Sequence, residues 1–298
     1  TSFDDLGTIT ATTGTYDFAN KLDLGGKQPL RLTRHFVTQG FYPSDLFDDR
    51  TANIDTWTDF DGAKATDVNA KLLVSTTDSD PATSVSATYA QSGTTITITK
   101  SSHGYSVGSN VEITFSTGTA VSGNYEIITV PTSGTFTVTA TSSATTSGNC
   151  TYSAEFSKFN QFANGTFVAR GFRFRCELFS DDPAQSIEID QLGYSAQLES
   201  RTETSLGNAG ATNGVIESGT SQKSVTFTNT FFTGSTGTDV AANSVVPSVA
   251  ITIENAQSGD FFTLSSITGS GFNIDIKNGL SHVDRNFKYA ATGFGRGS

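Results

Sequence analysis

Side chains able to do acid–base or metal chemistry are few in this chain, and they are scattered. The three histidines are His35, His103 and His282, each in a separate stretch. A zinc site wants close ligand pairs such as H-x-x-x-H or C-x-x-C, and neither spacing occurs. His103, in SHGY, reads as a turn residue. Ser is abundant, but there is no G-x-S-x-G elbow and no matched base, so a hydrolase triad fails on spacing. Cys150 and Cys176 fall in different predicted modules, with Cys150 close to where the inserted module rejoins the first domain. In TFVARGFRFRCELF, Cys176 alternates in phase with Phe172, Phe174 and Leu178, which predicts a buried free thiol. No catalytic residue and no cofactor is expected from these patterns.

Carboxylates are the denser resource. The stretch SDLFDDRTANIDTWTDFDG holds Asp45, Asp48, Asp49, Asp55, Asp59 and Asp61. Calcium gathers six to eight oxygens, and Asp55, Asp59 and Asp61 are the weak candidates for it. The spacing departs from the D-x-D-x-D-G template, so a solvated acidic loop is the favoured reading. Paired carboxylates at glycosidase separation are the other use for such residues, but nothing in the sequence sets two of them across a cleft. Trp57, the single Trp, suits either a sugar-stacking platform or a core anchor, and the second is favoured.

The elements that must position these groups are strands. The chain has 298 residues, net charge −11, 29 Gly, 23 Phe, 11% aromatics and no Met. Thr and aromatics fit a pleated half-buried surface, while Gly and Ser supply turns. No apolar stripe recurs at helical spacing. The aromatic content argues against disorder. All-β is the predicted class. The acidic balance excludes nucleic acid as a partner, and no apolar run is long enough for membrane insertion as a helix. The absence of Met is expected of part of a longer chain or of a processed one.

Alternation and punctuation divide the chain. TTITIT at 94–99, VEITF at 111–115, NYEIITV at 124–130 and TFTVT at 135–139 are separated by Gly-containing turns, which predicts a small β-barrel or sandwich module over 86–153. KLLVST at 71–76 before it and TFVARGFRFRCELF at 166–179 after it read as strands of one domain. Residues 1–85 plus 154–200 are therefore expected to form a first β-sandwich carrying 86–153 as an insertion. Loop tips tolerate such insertions, so the module is expected to be dispensable for folding. Residues 201–222, rich in Gly, Ser and Thr, read as a linker. Residues 223–298 read as a second antiparallel β-sandwich. Within it, the loop GSTGTDVAAN at 234–243 and the turn NGLSH at 278–282 are the candidate recognition loops. They supply Asp239, Asn243, Asn278 and His282 as candidate receptor-binding residues, with Trp57 as the alternative locus.

VTFTNTFF, PSVAITIENAQSGDFFTLSSITGSGFNIDI and VDRNFKYAATGFG together resemble the C-terminal module of bacteriophage tail-tip and tail-fibre proteins, which is similar to H-type lectin sandwiches. DTWTDFDGAKATDVNAKLLVSTTDSDP, resumed at EFSKFNQFANGTFVARGFRFRCELFS, resembles the preceding domain of phage host-specificity proteins. SHGYSVGSNVEITF and VSGNYEIITV resemble a small β-module recurrent in phage tails. The resemblance implies a non-enzymatic virion tail component, a homotrimer in contact with other tail proteins. It would act outside the host bacterium by binding a surface glycan or protein receptor. A tail-associated polysaccharide depolymerase and a purely structural tail spacer are the rival readings. The family carries no catalytic residues to transfer.

Overall fold

A computed structural model describes residues 13–41, 68–180 and 186–296. The described residues are all-β, as the composition predicts: nineteen strands and a single 3₁₀ turn at Ser205–Gly207. No helix among them is long and apolar enough to cross a membrane. The described residues fall into two compact units, one of 13–22, 32–41, 68–165, 171–180 and 186–195, the other of 23–31, 166–170 and 196–296.

The first unit contains most of a six-stranded sheet. Its strands are β1 (Thr13–Asp17), β2 (Leu22–Phe41), β3 (Val68–Thr77), β9 (Asn160–Gln161), β10 (Gly165–Ser180) and β11 (Ser186–Leu198), in the order β11-β2-β10-β3-β9 with β1 paired to β10. In β10, Phe172, Phe174 and Cys176 are buried, as the alternation predicts. Phe174 stacks on Tyr194 at 3.9 Å between ring centroids. Arg173 departs from the pattern: it lies on the opposite face and is still only 5% exposed.

The stretch expected as an insertion is a five-stranded sheet. Its strands are β4 (Ser84–Thr99), β5 (Asn110–Phe115), β6 (Gly123–Glu126), β7 (Thr129–Thr132) and β8 (Thr135–Ser153), in the order β4-β8-β5-β6 with β7 also on β8. The run NYEIITV breaks between β6 and β7, where Ile127 turns fully inward and exchanges backbone hydrogen bonds with Gly108 and Ser109. Ile96, Ile98, Val111, Ile113, Phe136, Val138 and Tyr152 close its core.

The second unit holds a sandwich. One sheet is β12 (Ser200–Thr204), β19 (Asn286–Phe294) and β13 (Ile216–Glu217), with β15 (Ser248–Glu254) on the other side of β19. The other is β14 (Lys223–Thr226), β17 (Gly271–Asn278) and β16 (Asp260–Ser265), with β18 (Ser281–His282) beside β17. Phe287, Tyr289 and Ala291 of β19 pack with Phe272, Ile274 and Ile276 of β17. Strict alternation in both strands produces this single shared layer.

Residues 201–222 differ from the linker expected of their composition. Ser200–Thr204 pairs with Ala290–Phe294, and Ile216–Glu217 pairs with Asn286–Phe287. The strand was hidden because one of its inward positions is Glu203, a buried carboxylate. The second unit also takes in Asp23–Arg31 and Thr166–Arg170 rather than beginning after residue 200.

Candidate functional site

The four recognition candidates of the C-terminal sandwich fall into two groups at opposite ends of it. Thr226 at the end of β14 pairs with Gly271 at the start of β17, and the chain then re-enters at Ser248, opposite Thr292. The loop bearing Asp239 and Asn243 therefore caps that end. Asn278 and His282 sit at the far end of β17, beside Asp260. Seven residues of strand separate the two ends, about 23 Å at 3.3 Å per residue. One receptor site built from all four is excluded by this topology. Trp57, Asp55, Asp59 and Asp61 lie outside the described residues. Among the described residues no group of three or more His, Cys, Asp or Glu is placed to hold a metal ion.

At the far end, the side chains are committed to one another. Arg285 donates to Asp260 from Nε at 2.7 Å and from Nη2 at 3.3 Å. The Gln257 amide donates to the same carboxylate at 2.7 Å, and Asn278 Nδ2 at 2.9 Å. The Arg285 hydrogen bonds, then those from Gln257 and Asn278, hold the Asp260 pKa down at about 2. His282 Nδ1 lies 2.6 Å from Asp275 Oδ1, and Lys277 Nζ lies 3.1 Å from Oδ2. Burial pushes the Asp275 carboxyl up, but the bonds from Lys277 and His282 outweigh it and hold it below the usual carboxylate range. Asn278 and His282 thus brace a hairpin whose tip presents Leu280, 99% exposed. Because the Asp260 pKa is lower folded than unfolded, its contribution to stability is complete above about pH 4 and lost as pH falls toward about 2. Asp260→Asn should accordingly melt below the native chain at pH 5, and the gap should narrow through that window; a gap constant with pH would contradict it.

At the loop end, Asp239 is a tether. Its Oδ2 accepts from the Asp23 amide at 2.7 Å, and its own amide donates to the Asp23 carbonyl at 3.0 Å. The Asp23 carboxylate is in turn forked by Arg170, at 3.0 and 3.2 Å. Asn243 is exposed and takes a left-handed φ of 59°, a turn conformation its short polar side chain tolerates. Gly234 opens the loop at φ 95°, where a Cβ would sit 1.9 Å from the Ala241 carbonyl oxygen, so only glycine fits.

Beside this loop lies a cleft of about 350 Å³ that single-residue reading missed. Its walls include Lys27, Gln28, Thr230, Phe232, Thr233 and Arg296. Phe232 is fixed by its amide donating to the Phe294 carbonyl at 2.8 Å, and Phe231 is buried beneath the Arg201 guanidinium, 3.8 Å from the ring centroid. Glu203 secures the segment from below: it accepts from the Thr228 amide at 2.6 Å, the Asn229 amide at 3.1 Å and the Tyr289 hydroxyl at 3.2 Å. Gly295, at φ 116°, would place a Cβ 2.9 Å from the Phe232 amide nitrogen, so its lack of a side chain keeps the cleft open. The sequence signal was the pair Phe231–Phe232 at a strand end; the contribution of Lys27 and Gln28, some 200 residues earlier, had none.

A second polar cluster lies within the first unit, where the five-stranded module meets β1 and β10. Arg173 donates to Asn124 Oδ1 at 2.9 Å, Glu112 Oε2 at 3.2 Å and Ser153 Oγ at 3.3 Å, and stacks 4.1 Å from the Phe156 ring centroid. Lys21 also binds Glu112. Arg175 forks Asp17 at 2.7 and 3.1 Å, and Asn124 donates to the same carboxylate at 3.1 Å. Burial pushes the Glu112 pKa up, but Lys21 and Arg173 outweigh it and hold the carboxyl low. Burial lowers the Arg173 pKa, against the pull of Glu112 and Asp17. The accompanying cavity is only about 160 Å³. Apart from Arg173 Nε, which is buried without a hydrogen-bond partner, these groups bond to one another, which is the chemistry of a docked interface.

His103 is a turn residue, its Nδ1 accepting from the Tyr105 amide at 3.0 Å. His35 pairs with Ser195. Both cysteines are buried and free, and burial pushes the Cys150 thiol up to about 11.

The fold and clefts define an all-β protein of antiparallel sheets. No family model matches the chain, and no curated protein matches it significantly. Among solved structures, recombinant discoidin II of Dictyostelium discoideum is similar at 14% identity, over 88% of this chain and 96% of that one, with a TM-score of 0.20. A superposition that loose carries no argument about function.

Proposed function

We propose that this chain is a non-enzymatic recognition component of a bacteriophage tail, assembled as a homotrimer with other tail proteins. It acts at the outside of the host bacterium by binding a surface glycan or protein receptor. The observation that carries the reading is the cleft beside the 234–243 loop: a concavity framed by strand-anchored residues at one end of a rigid sandwich, the place where loops on sheets present recognition surfaces. The sequence resemblance to tail proteins supports the same reading.

Adsorption is the direct test. Fluorescently labelled chain is expected to bind intact host cells saturably and to compete with virions for adsorption, without releasing reducing sugar from host polysaccharide. Absence of cell binding would refute the receptor role. Release of reducing ends would make the chain a depolymerase.

A further inference from the structure

We propose that Lys21 and Asn124 join in an intramolecular isopeptide bond, formed by the chain itself in the polar cluster around Arg173. The groups the reaction needs line one cavity of about 160 Å³: Lys21, Glu112, Asn124, Arg173 and Asp17. Lys21 supplies the amine and Asn124 the carboxamide. Glu112 and Asn124 stand directly opposite each other in the β5–β6 ladder, which sets their Cβ atoms about 5 Å apart on one face. Lys21 Nζ contacts Glu112 Oε2, and Arg173 Nη2 donates to that same oxygen at 3.2 Å. Nη1 of the same guanidinium donates to Asn124 Oδ1 at 2.9 Å. Amine and carboxamide are thus both tied to one carboxylate–guanidinium pair.

A cluster that only paired charges would have no use for a neutral carboxamide at its centre. Asn124 is instead held at both ends. Its Oδ1 accepts from Arg173, and its Nδ2 donates at 3.1 Å to Asp17, a carboxylate itself forked by Arg175.

The step balances without a co-reactant. Burial raises the Glu112 pKa, but Lys21 and Arg173 outweigh it, so the group stands as a carboxylate and takes a proton from the Lys21 ammonium. The freed amine attacks Asn124 Cγ and the Nζ–Cγ bond forms. Negative charge gathers on Oδ1, where the Arg173 N–H already donates, as in an oxyanion hole. The Cγ–Nδ2 bond then breaks. Nζ keeps one of its three hydrogens, and the other two pass to Nδ2, one of them through Glu112. The nitrogen leaves as ammonium, so charge is conserved and nothing is oxidised or reduced. Confinement of the reactants in one cavity supplies the effective concentration for this single turnover. The product fastens β6 of the five-stranded module to the residue that leads into β2, a covalent form of the same dock.

The test is the intact mass of the purified full chain after incubation at mildly alkaline pH, followed by tryptic mapping. The native chain is expected to be lighter than its sequence by one ammonia and to yield a branched peptide joining Lys21 to Asn124. Lys21→Arg keeps a cation on Glu112 but no nucleophilic amine, and should retain the full sequence mass while still folding. Glu112→Gln keeps an acceptor oxygen but no base, and should slow the reaction about a hundredfold or more. A native chain that stays at its sequence mass would overturn the proposal, as would loss of ammonia from Lys21→Arg. So would mapping of the loss to Asn164, Asn213 or Asn278, each of which precedes a glycine and can close a succinimide with the same change in mass. Unslowed bond formation in Glu112→Gln would overturn the assignment of Glu112 as the base.

Discussion

Arg173→Ala is expected to lower the stability of the first unit by ~3 kcal/mol or more, because removing one member of a buried charged network strands the others. Arg173 is only 5% exposed, and Asn124, Ser153 and Glu112 all lose a donor when it goes. For a unit of this size the melting temperature should fall by about 6–12 °C. Arg173→Met, which keeps bulk over Phe156 but no donors, should fall between the two. The effect depends on the docked module. When residues 86–153 are replaced by a short Gly-Ser linker, the remaining sheet is expected to keep a cooperative transition, with Arg173 facing water. Arg173→Ala should there cost less than about 1 kcal/mol, as exposed ion pairs do. Equal costs in the two backgrounds would show that the module does not use Arg173 as its dock. Loss of cooperativity in the excised chain would show that the module is integral to the fold.

Glu203→Ala is the second large effect, at ~3 kcal/mol or more. Glu203 is 8% exposed and answers two backbone amides, at Thr228 and Asn229, besides the Tyr289 hydroxyl and Arg201. Without it, those donors face an apolar interior and the Arg201 guanidinium keeps its stack on Phe231 without its carboxylate. The segment 228–232 forms one wall of the cleft, so amide exchange there should speed up more than in β17. Glu203→Gln retains one acceptor oxygen and should lose less. A chain in which Ala and Gln cost the same, with unchanged exchange at 228–232, would show that the carboxylate is not the anchor.

Several features were legible from residue order alone. Alternation in TTITIT, VEITF, TFTVT and TFVARGFRFRCELF placed strands and their buried faces, since a period of two has one meaning when one face is apolar. The free, buried state of Cys176 followed from its phase with Phe172 and Phe174. The SHGY context marked His103 as a turn residue.

What the tertiary structure alone decided has a common physical cause: polar side chains whose partners lie far away in sequence. Glu203 made a strand look like linker, because an inward carboxylate reads as outward until its amide donors, some 25 residues on, are in place. Arg173 sat on the expected polar face, yet the module's Asn124 and Ser153 bury it. Asp239, read from the sequence as a candidate receptor contact, is bound to Asp23, 216 residues earlier. Local pattern reports which way a side chain points, but sheet topology determines what it meets. Topology likewise put Asp239 and His282 at opposite ends of one sandwich and gathered Gln28, Phe232 and Arg296 around one cleft.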